Sequence, residues 1–271
     1  MKILKTALYV LLIFIFSHTA FLQISAASQK SGDENIRITL LYDNYKHAPN
    51  TQVGFGFACL VEINSKMILF DTGSEPDILI NNAKALNKDL KRVNIVVISH
   101  NHFDHTGSLL KVLDIADTLT LYLPQSFKDT YDARKAIETG SQVVFVKAST
   151  QISENCYSTG ELGGDIKEQS LILDSKYGLV VIAGCAHPGI TNIIKTAKEI
   201  LEKEVYLVMG GFHLVEHPLG FQQEIVSEVK SLGVKKCGPS HCSGNLESFK
   251  QTFGSNYIKM DTGQVVEIKG H

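Results

Sequence analysis

The 271-residue chain lacks an excess of charge of either sign, with 26 Lys plus Arg against 28 Asp plus Glu. That balance gives no electrostatic footprint for nucleic acid or an anionic membrane, and leaves a small molecule as the expected partner. Cysteine is sparse: five residues (59, 156, 185, 237 and 242), an odd number without the paired spacing of a structural zinc knuckle. A disulfide framework is therefore not expected, although one pair can still close, and Cys237 and Cys242 are the nearest in sequence. Internal repeats and low-complexity tracts are missing too, which excludes a solenoid. The apolar run from Ala7 to Phe16 falls short of the roughly 20 residues that a spanning helix needs.

That run reads instead as a targeting signal. Lys2 and Lys5 precede it, and Ser25-Ala26-Ala27-Ser28 offers a small-residue cleavage site without a cysteine for lipid attachment. The expected organisation is a signal peptide over 1–27, a polar linker over 28–35 and one domain over 36–271. The mature protein would be exported, periplasmic or secreted, with no stable membrane insertion. At 44% hydrophobic and 20% charged residues, the remainder can bury a sizeable core.

Short runs rich in Val, Ile and Leu predict strands over 36–43, 57–63, 67–71, 95–99, 119–123, 143–146, 170–173, 179–183, 205–209 and 234–237. Apolar residues at three- and four-residue steps predict helices over 77–86, 106–113, 191–203 and 222–232. The segments 44–55 and 128–140 read as loops. Hairpins dominate the first half, whereas strand, loop and helix alternate in the second. The fold class is α/β, and two packed sheets with helices outside satisfy the pattern.

The chemistry concentrates in one place. An apolar strand over 93–98 runs into Ser99-His100-Asn101-His102-Phe103-Asp104-His105-Thr106-Gly107. Three imidazoles and a carboxylate within six residues are the donor set that zinc and similar divalent ions take in hydrolytic sites. His100 and His102 can address one ion while Asp104 and His105 address another, and two ions about 3.5–4 Å apart can share a bridging hydroxide.

The run His-x-His-x-Asp-His with its following Thr-Gly resembles the signature of the metallo-β-lactamase superfamily, as does Leu69-Phe70-Asp71-Thr72-Gly73 upstream. Gly184-Cys185-Ala186-His187-Pro188-Gly189-Ile190, Gly210-Gly211-Phe212-His213-Leu214 and Pro239-Ser240-His241-Cys242-Ser243-Gly244 resemble its 7,8-dihydropterin-6-yl-methyl-4-(β-D-ribofuranosyl)aminobenzene-5′-phosphate synthase branch. The resemblance implies an αββα sandwich over 36–271, with two divalent ions, zinc first and manganese or iron as alternatives. It implies His100 and His102 on the first ion, and Asp104, His105 and His241 on the second.

Superfamily members usually supply a further His from a segment before the strand ending at Gly184, but 156–169 contains none. His187 is the expected replacement. Cys185 stands where a bridging carboxylate is usual and is expected to bridge as a thiolate. His213 occupies the interval in which phosphodiester-cleaving relatives carry an extra His, so it is expected to be a general acid or substrate binder. Asp104 and His213 are thus the expected catalytic residues. Asp71 is expected to orient a ligating His or cap its own turn. His18 falls in the signal, and His47, His217 and His271 lack clustered partners.

The first functional expectation is hydrolysis, with a metal-bound hydroxide attacking an ester, lactone or phosphate-type substrate. Transfer to an aminobenzene-type nucleophile, as in the resembling branch, is the alternative, and a non-catalytic metal-binding protein is a third. An export signal weighs against phosphorylated cytoplasmic substrates.

Overall fold

Strands buried on both faces carry near-continuous apolar sequence, because each face must meet a different apolar layer. In the computed structural model, which describes residues 35–116 and 118–270, this is how the strands are built. The expected signal peptide and nearly all of the linker lie outside the described residues, as do His18 and His271.

The first sheet takes β1 (Ile36–Tyr42), β2 (Ala58–Ile63), β3 (Lys66–Phe70), β4 (Ile95–Val97), β5 (Thr120–Pro124) and β6 (Gln142–Val146). The second takes β7 (Thr150–Ser153), β8 (Cys156–Ser158), β9 (Leu171–Ser175), β10 (Gly178–Ala183), β11 (Val205–Gly211) and β12 (Lys236–Ser240). The last strand, β13 (Val265–Ile268), returns to the edge of the first sheet beside β1. Each sheet begins as antiparallel hairpins and ends in parallel strands: β3, β4, β5 and β6 in the first, β10, β11 and β12 in the second.

Alternation sorts the side chains into layers. Along β10, Val180 and Ile182 face the other sheet, where they join Ile38, Leu40, Ile68 and Phe70. Leu179, Val181 and Ala183 face outward. The outer face of the first sheet is covered by α1 (Pro76–Ala85), α3 (Leu109–Ile115) and α4 (Tyr131–Glu138), with the one-turn α2 (Phe103–Thr106) lying between α1 and α3 in sequence. The outer face of the second is covered by α5 (Ile190–Leu201), α6 (Leu219–Ser231) and α7 (Leu246–Phe253). α5 shows why these are helices: Ile190, Ile193, Ile194 and Ala197 fall on one stripe and are all buried. The result is an αββα sandwich, as expected. Among the described residues no helix is long and apolar enough to cross a membrane.

Three local readings change. The segment 128–140 is not all loop, since it holds α4, whose buried positions are only Ala133 and Ala136 and so give little hydrophobic period. The helix expected over 106–113 breaks into α2 and α3 at Gly107-Ser108, where a Cβ on Gly107 would stand 2.2 Å from the Ser74 carbonyl oxygen. Cys237 and Cys242 are both free thiols, because Cys237 points into the layer under the helices while Cys242 lies beyond the end of β12.

Candidate metal centre

Parallel strands deliver loops to one edge, and ligands bind at the carboxyl ends of such strands. Here the ends of β3 and β4 in one sheet and of β10, β11 and β12 in the other bring together the candidate site residues singled out from sequence. Asp71 follows β3, His100 to His105 follow β4, Cys185 and His187 follow β10, His213 follows β11, and His241 follows β12.

Among the described residues, three sets of donor atoms each lie within 4.8 Å of one another: Asp104, His105, Cys185 and His241; His100, Cys185 and His187; and Cys185, His213 and Cys242. Cys185 belongs to all three. His102 lies outside these sets, yet its Nδ1 is 3.1 Å from His100 Nε2 and its ring centroid is 4.9 Å from that of His187. Asp104 Oδ2 stands 3.0 Å from His241 Nε2 and 3.4 Å from His105 Nε2. His105 Nε2 is 3.2 Å from Cys185 Sγ. The rings of His187 and His213, given separate roles from sequence, stand only 4.2 Å apart.

Three of the rings, those of His100, His105 and His241, are held from behind, which fixes their aim. Asp71, fully buried, accepts from the Ser99 backbone N–H and Ser99 Oγ–H, and its Oδ2 lies 2.7 Å from His105 Nδ1. Ser99 Oγ reaches His100 Nδ1 at 2.9 Å. His241 Nδ1 meets Asn44 Oδ1 at 3.1 Å, and its backbone N–H donates to Asp43. The orienting role expected for Asp71 is the one its contacts describe.

Glu168 is what the sequence reading missed. It sits in the histidine-free segment, fully buried; its Oε1 accepts from the backbone N–H groups of Gly184, Cys185 and Ala186, and its Oε2 from that of His187. One carboxylate thereby clamps the loop that carries Cys185 and His187. Ser99, Asn44 and Cys242 were missed as well. Only adjacency marks them: Ser99 precedes His100 and Cys242 follows His241.

The backbone is strained at the same edge. Asp71, Ala186, His213 and His241 all have φ between 51° and 58°, a region costing non-glycine residues of order 1–3 kcal/mol and concentrated at functional sites. The electrostatics divide the donors. Burial and neighbouring imidazoles hold His100 well below the usual histidine range, and bring His187 down to about 4. Both are thereby neutral and ready to coordinate. Burial opposes charge on His105 also, but Asp71 and Asp104 outweigh it and raise the ring to about 10. Burial would raise Asp104, and hydrogen bonds from His105 and His241 overcome it to hold the carboxylate well below the ordinary range. Buried His187 Nε2 and His213 Nδ1 lack hydrogen-bond partners and lie among these donors. A divalent ion fits this donor chemistry: Asp104, His105, Cys185 and His241 could hold one, as could His100, Cys185 and His187, with His102 beside them. His47 and His217 are exposed and away from it.

The αββα sandwich with a donor-rich edge is the architecture of a candidate metal-binding fold, and comparisons with known proteins find likenesses of the same class. The model of the metallo-beta-lactamase superfamily matches residues 51–135. The 7,8-dihydropterin-6-methyl-4-(beta-D-ribofuranosyl)-aminobenzene-5′-phosphate synthase of Methanocaldococcus jannaschii is 28% identical, over 87% of this chain and 97% of its own length. Uncharacterized protein MJ0448 of the same organism is 27% identical, over 79% and 93%. The solved structure of Tm1679, described as a metal-dependent hydrolase of the beta-lactamase superfamily, superposes with a TM-score of 0.73 at 28% identity, covering 86% of this chain and 99% of the other. The family model, the curated relative and the solved structure agree in likening the chain to the metallo-β-lactamase superfamily.

Proposed function

We propose that this protein is a metal-dependent group-transfer enzyme of the synthase type, joining an aromatic amine to a small molecule that carries a phosphate-type leaving group. The observation behind the reading is the sharing of Cys185 among the donor sets, which suits a pair of adjacent ions. Bound ions would supply Lewis-acid stabilisation of the negative charge that develops on the departing oxygen. By its name the M. jannaschii relative forms a dihydropterin–aminobenzene product, so transfer draws more support than hydrolysis, the first expectation from sequence. The description of Tm1679 favours hydrolysis and keeps it as the second reading.

In the transfer, His213 holds a proton toward the leaving group, and His187 and His100 remain neutral donors beside it. The loop 44–55 and the exposed Phe103 form the rim that would meet an acceptor ring. The proposal carries over the reaction type of the relative and not its particular substrate.

The test uses purified protein reconstituted with zinc or manganese, a heteroarylmethyl phosphate ester and an aniline-type acceptor. Elemental analysis should give close to two ions per chain, and mass spectrometry should find the carbon–nitrogen coupled product. Phosphate release at one rate with and without amine, with solvent oxygen in the product, would establish hydrolysis instead. Neither product, with two ions bound, would leave metal binding as the activity.

A further inference from the structure

The sulfurs of Cys185 and Cys242, which share one donor set with His213, are 3.2 Å apart. Both thiols are buried, one just past the end of β10 and the other just past the end of β12. Both lie on loop backbone, where a shift of about 1 Å brings sulfurs to the roughly 2 Å of a disulfide bond without disturbing a ladder. Gly211 makes the room: a Cβ there would stand 2.8 Å from Cys242 Sγ and 3.2 Å from Cys185 Cα. The backbone N–H of His213 donates to Cys242 Sγ at 3.3 Å and stabilises negative charge on that sulfur. The other three thiols are placed differently: Cys59 and Cys156 lie in the layer between the sheets and Cys237 in the layer under the helices.

We propose that Cys185 and Cys242 are a redox-modification site, a dithiol that closes to a disulfide and thereby removes the sulfur shared by all three donor sets. The oxidant is a peroxide. A Cys242 thiolate attacks one peroxide oxygen, the O–O bond breaks, and hydroxide departs, leaving a sulfenic acid. The Cys185 sulfur then attacks the Cys242 sulfur, the S–O bond breaks, and the hydroxide lost takes up the Cys185 proton as water. The two sulfurs together give up two electrons, and peroxide becomes two molecules of water. Added thiol reverses the change by exchange. Disulfide closure and metal loading are mutually exclusive, since a sulfur bonded to sulfur is no longer a thiolate donor. This last clause rests on the metal-centre reading above; the closure itself does not.

The experiment treats the full chain, stripped of metal with a chelator, with hydrogen peroxide. Thiols titrated after denaturation should fall from five to three, the mass should drop by two hydrogens, and peptide mapping should find Cys185 joined to Cys242. Dithiothreitol should restore five thiols. Zinc alone, bound before peroxide, should protect the pair, and the oxidised protein should take up less zinc than the reduced. Cys242→Ser should form no cross-link under peroxide, with circular dichroism to confirm its fold. Five thiols after treatment, a cross-link elsewhere, or oxygen added to one sulfur without cross-linking overturns the proposal. A cross-link that forms equally in the zinc-loaded protein leaves closure standing and removes its coupling to metal.

Discussion

Glu168 carries more of the centre than any residue recognisable as a ligand from sequence. A buried carboxylate that accepts four backbone N–H groups makes charge-assisted bonds that an amide cannot reproduce. Glu168→Gln turns an NH2 toward at least one of those N–H groups. We expect it to lose about 1–3 kcal/mol of stability and to weaken zinc binding roughly 10–100-fold, the range for partners behind a ligand. Chelator competition measures this, and unchanged affinity would mean that the 184–187 loop holds its shape alone. His187 and His213 separate by another readout. His187→Ala should lower metal occupancy, with activity partly restored by excess metal. His213→Ala should keep both ions while kcat falls by about 10²–10⁴-fold, less for substrates with good leaving groups. The reverse pattern would exchange their roles. The candidate donors were legible because His, Asp and Cys announce themselves by type and spacing. The groups behind them were not, since a Glu, Ser or Asn becomes an anchor only when the fold brings a distant loop to it.

At the level of elements, glycine and asparagine decide how the edge is held. Gly184 lets β10 approach the other sheet, for a Cβ there would stand 2.1 Å from Ser99 Oγ and 2.9 Å from Asp71 Oδ2, the pair behind His100 and His105. Gly184→Ala should therefore yield folded protein with reduced metal content. Gly220→Ala is the control: it sits in α6 with open space around it, and should gain roughly 0.5–1 kcal/mol in chemical denaturation. A Gly184→Ala protein with full metal content would show that the two sheets can separate there at no loss. Asn82 on α1 plays a comparable part at the rim. Its side chain donates to Leu41 and Gln52 carbonyls and accepts from the Gln52 N–H, which ties down the loop carrying Asn44 and Phe55 beside His241. Strands buried on both faces and helices with an Ile or Leu stripe were readable from apolar period. β7, β8, β13 and α7 were not, because they are short or draw their burial from neighbours rather than from a pattern of their own.

At the level of the whole molecule, the centre joins two halves of the sandwich. His100, His102, Asp104 and His105 come from the first sheet, and Cys185, His187, His213 and His241 from the second. Such a donor set does not exist in the unfolded chain, so metal binding free energy becomes folding free energy. A site filled at 100 times its Kd adds about 2.7 kcal/mol, and for a domain of this size each kcal/mol raises Tm by about 2–4 °C. Zinc should therefore raise the melting temperature of chelator-treated protein by roughly 5–10 °C per site filled to that level. The shift should grow with zinc concentration, and calorimetry should keep a single transition because the ions bridge both sheets. Asp104→Ala combined with His105→Ala, which removes donors on the first-sheet side, should lose most of the shift. Zinc bound in stoichiometric amount with no change in Tm would mean that the ions sit where folding does not assemble the site, and the cross-sheet centre would have to be abandoned.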